Sequence, residues 1–466
     1  MKHVHLFRNL ACLLIGTVLS VASARALTFP VTKTADTADG TCDADCSLRE
    51  AIIAANANAG ADTITLPAGT YTLSIAGSGE NASATGDLDI AAGGLTINGA
   101  GSATTIIDGG AIDRVIHILG GPVAISDVMI RNGRIAGGGG VFIESATAVV
   151  GLTRVVVTGN NGLTGGGGGI RNGGILTLVD STVSNNSTTT AQGGGIFGGN
   201  DITITNSTIS GNTAQDQGAG IFYGGSATTA LTITNSTISN NIGTQEGGGL
   251  YNNPPGSTTP DTVTITATTI ADNSSGASTG GGVFSLGPGN LTIRQTIIAH
   301  NTGSASGPDC QGPFISQGFN LIQNATGCTI TGTTTGNITG QDPQLQPLAS
   351  NGGPTQTRSL SGTSPALNSV TSGCPPPAAD QRGVTRPQQT ACEMGAFECQ
   401  AGECAGGVAP TATPTPTTPA TTATPTRTNT AMSGGPAAVV PTLSFPMLAL
   451  LGIALAGAAL FLMKRP

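Results

Sequence analysis

The sequence predicts an all-β chain wound as a right-handed parallel β-helix, and three observations predict it. Gly supplies 72 of 466 residues and charged residues only 9%, too few ionic groups for an ordinary globular surface, while 38% hydrophobic residues are too many for disorder. Residues 138 to 301 align on themselves as six copies of one pattern. Inside each copy apolar and polar residues alternate, which is the period of a strand.

The columns of this repeat follow the chain. After each Gly cluster stand Val141, Ile170, Ile196, Ile221, Leu250 and Val283. Next come Val150, Leu176, Ile202, Leu231, Val263 and Leu291, with Leu152, Leu178, Ile204, Ile233, Ile265 and Ile293 two positions on. A further column, Val157, Val183, Ile209, Ile238, Ile270 and Ile298, is followed three residues later by Asn160, Asn186, Asn212, Asn241, Asn273 and Asn301. An inward aliphatic residue cannot be buried within one coil, but stacked on its equivalents it builds a continuous core. The Asn column is expected at a bend, with amides bonded from coil to coil and left-handed backbone tolerated there. Less regular strings from 62 to 133 extend the solenoid, which is placed at 62–330.

In chain order, Lys2 and Arg8 before the apolar run Leu10 to Ala22, with Ala24-Arg25-Ala26 behind it, read as a signal peptide over 1–26. Residues 27–61 form the cap. There Ser47-Leu48-Arg49-Glu50 reads as a capping box that starts a short helix from 47 to 58, with Leu48, Ile52 and Ala55 on one face. Residues 331–404 form a Cys-containing segment. Residues 405–440 are a Pro/Thr-rich linker, or stalk, that cannot pack a core. Residues 441–466 contain the uncharged run Phe445 to Met463 followed by Lys464 and Arg465, which reads as a transmembrane helix with a basic inner flank.

Eight cysteines follow the leader: Cys42, Cys46, Cys310, Cys328, Cys374, Cys392, Cys399 and Cys404. An even count in an exported chain favours disulfides, and proximity suggests pairing in sequence order. Knuckles of the kind that bind structural zinc are absent. Net charge is −8, and loss of Lys2, Arg8 and Arg25 with the leader makes the chain more acidic still, so a nucleic-acid partner is excluded.

The string CSLREAI at 46–52 resembles the amino-terminal motif of CSLREA-domain proteins. The GGGI and GAGI clusters with TISxN resemble the repeats of polymorphic outer-membrane proteins, with Ile or Val in place of the Phe of FxxN. DPQLQPLASNGGPTQT from 342, DQRGVTRP and EMGAFE resemble a choice-of-anchor domain, and VPTLS at 440–444 resembles IPTL-type sorting signals. The resemblance implies a β-helix displayed at a bacterial surface. It implies no catalytic residues.

For function, the leading expectation is an exported, membrane-tethered, adhesin-like protein that binds surface glycans or proteins without catalysis. The column Phe142, Arg171, Phe197, Phe222, Tyr251 and Phe284 follows the first apolar column by a single residue, and Phe197, Phe222, Tyr251 and Phe284, with the adjacent Tyr223, are the binding candidates. A packed aromatic ladder explains the same column. The enzyme alternative, a polysaccharide lyase or glycoside hydrolase, needs clustered carboxylates and bases. Asp108, Asp113, Asp127, Arg131, Arg154 and Arg171, from early coils, are where such a cluster would lie, although solvated surface charge is the simpler account of them. A structural envelope component is the third reading. No cofactor is expected, except that Asp36, Asp39, Asp43 and Asp45 offer oxygens for Ca²⁺ without an EF-hand spacing. His117 and His300 show no partner in the sequence.

Overall fold

A computed structural model describes residues 25–91, 93–225, 228–253, 261–276, 280–287, 291–303 and 306–404. The leader up to residue 24, the linker and the terminal apolar run lie outside the described residues. Among the described residues no helix is long and apolar enough to cross a membrane.

The chain is a parallel β-solenoid with three faces. The first carries Leu88–Ile90, Ile116–Ile118, Val141–Ile143, Ile170–Asn172, Ile196–Gly198, Ile221–Tyr223, Leu250–Asn252 and Val283–Ser285, each parallel to the next. The second runs through Val149–Thr153, Ile175–Val179 and their equivalents, and the third is an 11-stranded sheet that ends at Ile338–Thr339. Cys310–Gln317 pairs with both the first and the second face, joining them into one 20-stranded sheet.

All aliphatic columns named above are in register. Leu176 pairs with Ile202, Ile202 with Leu231 and Leu231 with Val263, and all are fully buried. Pairing starts earlier than residue 62, because Thr28–Pro30 already lies parallel to Asp62–Leu66, and it runs beyond 330 to Thr339. The helix Leu48–Ala57 closes the first coil. Ser47 Oγ accepts from the Glu50 N–H at 3.1 Å and the Ser47 N–H donates to Glu50 Oε2 at 2.7 Å, so both halves of the capping box are present. Leu48, Ala51, Ile52 and Ala55 face the core.

The Asn column is buried and forms a ladder. Each side-chain amide from Asn160 to Asn273 donates to the next Asn Oδ1 at 2.8–3.0 Å, and the same oxygen accepts the preceding Asn's backbone N–H. The left-handed backbone falls one residue earlier than expected, at Gly159, Asn185, Gly211, Asn240, Asp272 and His300. The ladder residue must point inward. The turn that aims it is made by the residue before it.

Residues beyond Thr339 do not extend the stack. They fold back along the third face, where Thr355 Oγ1 donates to Asn206 O, Asn235 Nδ2 to Ala379 O and the Ala396 N–H to Thr269 Oγ1. Gln381, 1% exposed, holds Thr208, Thr237 and Thr355 together. A second apolar cluster forms here around Leu345, Leu360, Met394 and Phe397. Four disulfides join Cys42–Cys46, Cys310–Cys328, Cys374–Cys392 and Cys399–Cys404, in sequence order.

Candidate functional site

On the outer side of the first face one column runs Asp89, His117, Phe142, Arg171, Phe197, Phe222, Tyr251, Phe284 and Gln311. Strand spacing brings flat side chains one above another. Phe197, Phe222, Tyr251 and Phe284 stack with centroids 5.0–5.4 Å apart and planes within 11°. The glycines permit this packing: Gly193, at φ +63°, turns the chain so tightly that a Cβ there would lie 2.7 Å from Phe197 Cβ.

This geometry corrects part of the sequence reading. Phe222 and Tyr251 are only 6% and 4% exposed, and the ring faces in the run are turned to one another, so they offer no open stacking platform. Burial pushes the Tyr251 hydroxyl up to about 12. Tyr223 points the opposite way, into the core, and its hydroxyl meets Thr229. Strand alternation dictates this, since it is adjacent to Phe222.

At the upstream end of the stack the column becomes charged. Arg171 lies between two rings, its guanidinium carbon 5.2 Å from the Phe142 centroid and 5.9 Å from that of Phe197. Among the described residues it makes no ion pair and donates no hydrogen bond. A groove of about 350 Å³ opens beside it, lined by Phe142, Glu144, Arg171, Asn172, Phe197 and Asn200 among others.

His117 stacks on Phe142 at 5.1 Å and meets carboxylates on both sides: Asp89 Oδ1 lies 3.0 Å from Nδ1, and Glu144 Oε2 lies 3.1 Å from Nε2. Asp89 is fully buried and fixed by Ser83, whose N–H donates to Asp89 Oδ2 at 2.9 Å. Asp87 and Asp113 are buried beside it. Burial, reinforced by Asp89 and Asp113, pushes Asp87 up to about 7. Arg114 Nε sits 2.6 Å from Asp87 Oδ2 and pulls the other way, but the pair lacks hydrogen-bond alignment. Arg114 also lies over Phe142, at 5.0 Å. Burial likewise raises Asp113.

The six residues expected at an enzymatic cluster are not gathered in one place. Asp108 and Arg131 pair at 2.8 Å on the third face, and Asp127 pairs with Arg154 at 2.7 Å in the turn between the second and third faces. Arg171 and Asp113 belong to the first-face site. The sequence reading missed Asp87, Asp89, Glu144 and the partners of His117, because Leu88–Ile90 was not recognised as a coil strand. Continuing the column back from Phe142 through His117 is the signal that finds Asp89. His300 also has partners, with Nε2 at 2.7 Å from Asp342. Asp36 is taken by Arg49 at 2.7 Å and Asp45 by Lys33 at 2.9 Å, so the acidic loop does not converge on a Ca²⁺.

No family model and no curated protein matches the chain. Among solved structures it is similar to a mannuronic acid specific polysaccharide family 6 lyase enzyme from human gut microbiota. The identity is 12%, the match covers 67% of this chain and 92% of the other, and the TM-score is 0.22.

Proposed function

We propose that this chain is an exported, membrane-tethered surface protein of the CSLREA and choice-of-anchor type that binds an acidic glycan at the groove around Arg171. The observation that carries the reading is the guanidinium held between Phe142 and Phe197. It lies over both rings, its N–H groups have no acceptor among the described residues, and it borders an open groove. A planar fork of donors suits a sugar carboxylate. Four disulfides support an oxidising compartment, in keeping with the leader read from the sequence.

The test is retention of the purified chain on immobilised acidic and neutral polysaccharides, with absorbance of unsaturated sugar followed in parallel. Retention on an acidic glycan, abolished by Arg171→Gln, is the expected result. Equal retention of the variant removes the assignment, and formation of unsaturated product replaces adhesion with lyase activity.

A further inference from the structure

We propose that Asp87, Asp89 and His117 form a binding site for one divalent transition-metal ion of the zinc class, with Glu144 positioning the imidazole. One ligand atom from each of the three residues lies within 4.8 Å of the others, and all three side chains are at least nine-tenths buried. Two carboxylates and one imidazole are a ligand set for zinc, manganese or iron rather than for calcium, which takes oxygen ligands.

The protons at His117 give an independent reason. Its two ring nitrogens both face carboxylates, at 3.0 and 3.1 Å. A neutral imidazole carries one N–H, so it satisfies one of those carboxylates and turns a lone pair on the other. The arrangement therefore calls for one more positive charge, and either a proton or a metal ion supplies it. With Nε2–H donated to Glu144, Nδ1 presents its lone pair on the side of Asp89. Donation of the distal N–H to a carboxylate is the usual outer support of a metal-bound histidine.

The surroundings add to that demand for positive charge. Asp87, Asp89 and Asp113 are three buried carboxylates, and Arg114 is the guanidinium among them. Asp89 is held from behind by the Ser83 N–H, while Ser83 Oγ accepts the Asp89 N–H at 2.7 Å. Ser83 adopts φ +56° to make both contacts, a backbone conformation uncommon outside Gly, Asn and Asp. Arg114 occupies Oδ2 of Asp87, and the carboxylate has a second oxygen to give. This site lies beside the Arg171 groove but does not depend on its proposed ligand.

Calorimetric titration of the chelator-stripped, full-length chain with Zn²⁺ at neutral pH tests the inference, with Co²⁺ absorption as a second readout. One equivalent should bind, and binding at this site should be lost in Asp89→Asn and His117→Gln while Asp108→Asn, on another face, leaves it intact. Because a buried substitution can unfold the coil, Glu144→Gln, whose side chain is half exposed, provides the milder variant. It should keep the stoichiometry and weaken affinity roughly tenfold to a hundredfold. Undiminished binding in folded His117→Gln overturns the site. So does a His117 ring that remains doubly protonated by nitrogen NMR in excess Zn²⁺.

Discussion

Asn301 donates its backbone N–H and its side-chain amide to the same Asp309 oxygen, at 3.0 and 2.9 Å. The other oxygen accepts the Asn324 N–H at 2.7 Å. Asp309 thus supplies the last acceptor of a ladder that begins at Asn160. Replacing Asp309 by Leu strands two buried donors and one half-buried one, and denaturant melts should show a loss of about 3 kcal/mol. A loss below 0.5 kcal/mol would mean that the ladder needs no terminator.

Ile233 is fully buried between Ile204 and Ile265 in adjacent coils. An Asp at this position places a carboxylate in an aliphatic stack without a partner. Ile233→Asp should cost at least about 4 kcal/mol, read as a large fall in Tm, whereas Ile233→Val should cost about 1 kcal/mol.

Burial alone would raise Glu50, but hydrogen bonds from Ser47, Thr37 and Asp39 hold it down at about 2. A depressed carboxyl contributes stability that is present above its unfolded value of 4.5 and is lost as pH falls toward 2. Acid should therefore loosen the cap. Hydrogen exchange of the helix Leu48–Ala57 should accelerate below pH 4, and Glu50→Gln should remove that dependence.

Asp87 has the opposite sign. Its folded value, raised to about 7 from 3.8, means that its own contribution to stability is complete below about pH 4 and is lost as pH rises through 7. In metal-free protein the decline should amount to a few kcal/mol, and Asp87→Asn should flatten the Tm profile across that window. An unchanged profile in the variant would locate the titrating group elsewhere.

Gln381 bonds Thr208, Thr237 and Thr355 from a buried position. Gln381→Ala should loosen the returning segment at a cost of about 2 kcal/mol. Limited proteolysis should then cut within residues 342–404 while the coils remain intact.

The solenoid was legible because each coil repeats the same solution: Val150, Leu176 and Ile202 occupy one column in the sequence and one column in space. The capping box was legible for a similar reason, being complete within four residues. Two other features were not. The return of residues 342–404 along the third face depends on single long-range contacts, such as Thr355 to Asn206, that leave no periodic trace. The charged site depends on the short strand Leu88–Ile90, whose Asp89 breaks the aromatic column it belongs to, so the pattern fades at the point where it acquires chemistry. Tyr223 was misread because being next to the stripe residue in sequence places it on the opposite side of the strand.

The route taken by residues 342–404 determines how the molecule carries load. A coil at the end of a parallel stack ordinarily yields to tension by peeling, one pair of strands at a time. Here the chain that leaves Cys404 is clasped near its end through Glu403 to Arg382, and its neighbours grip Ser207, Thr237 and Thr269 in the middle of the stack. A pull from the carboxyl end is therefore delivered sideways to several coils at once, as shear across a splint, and the terminal strands Cys328–Thr333 and Ile338–Thr339 are spared from being the first to unzip.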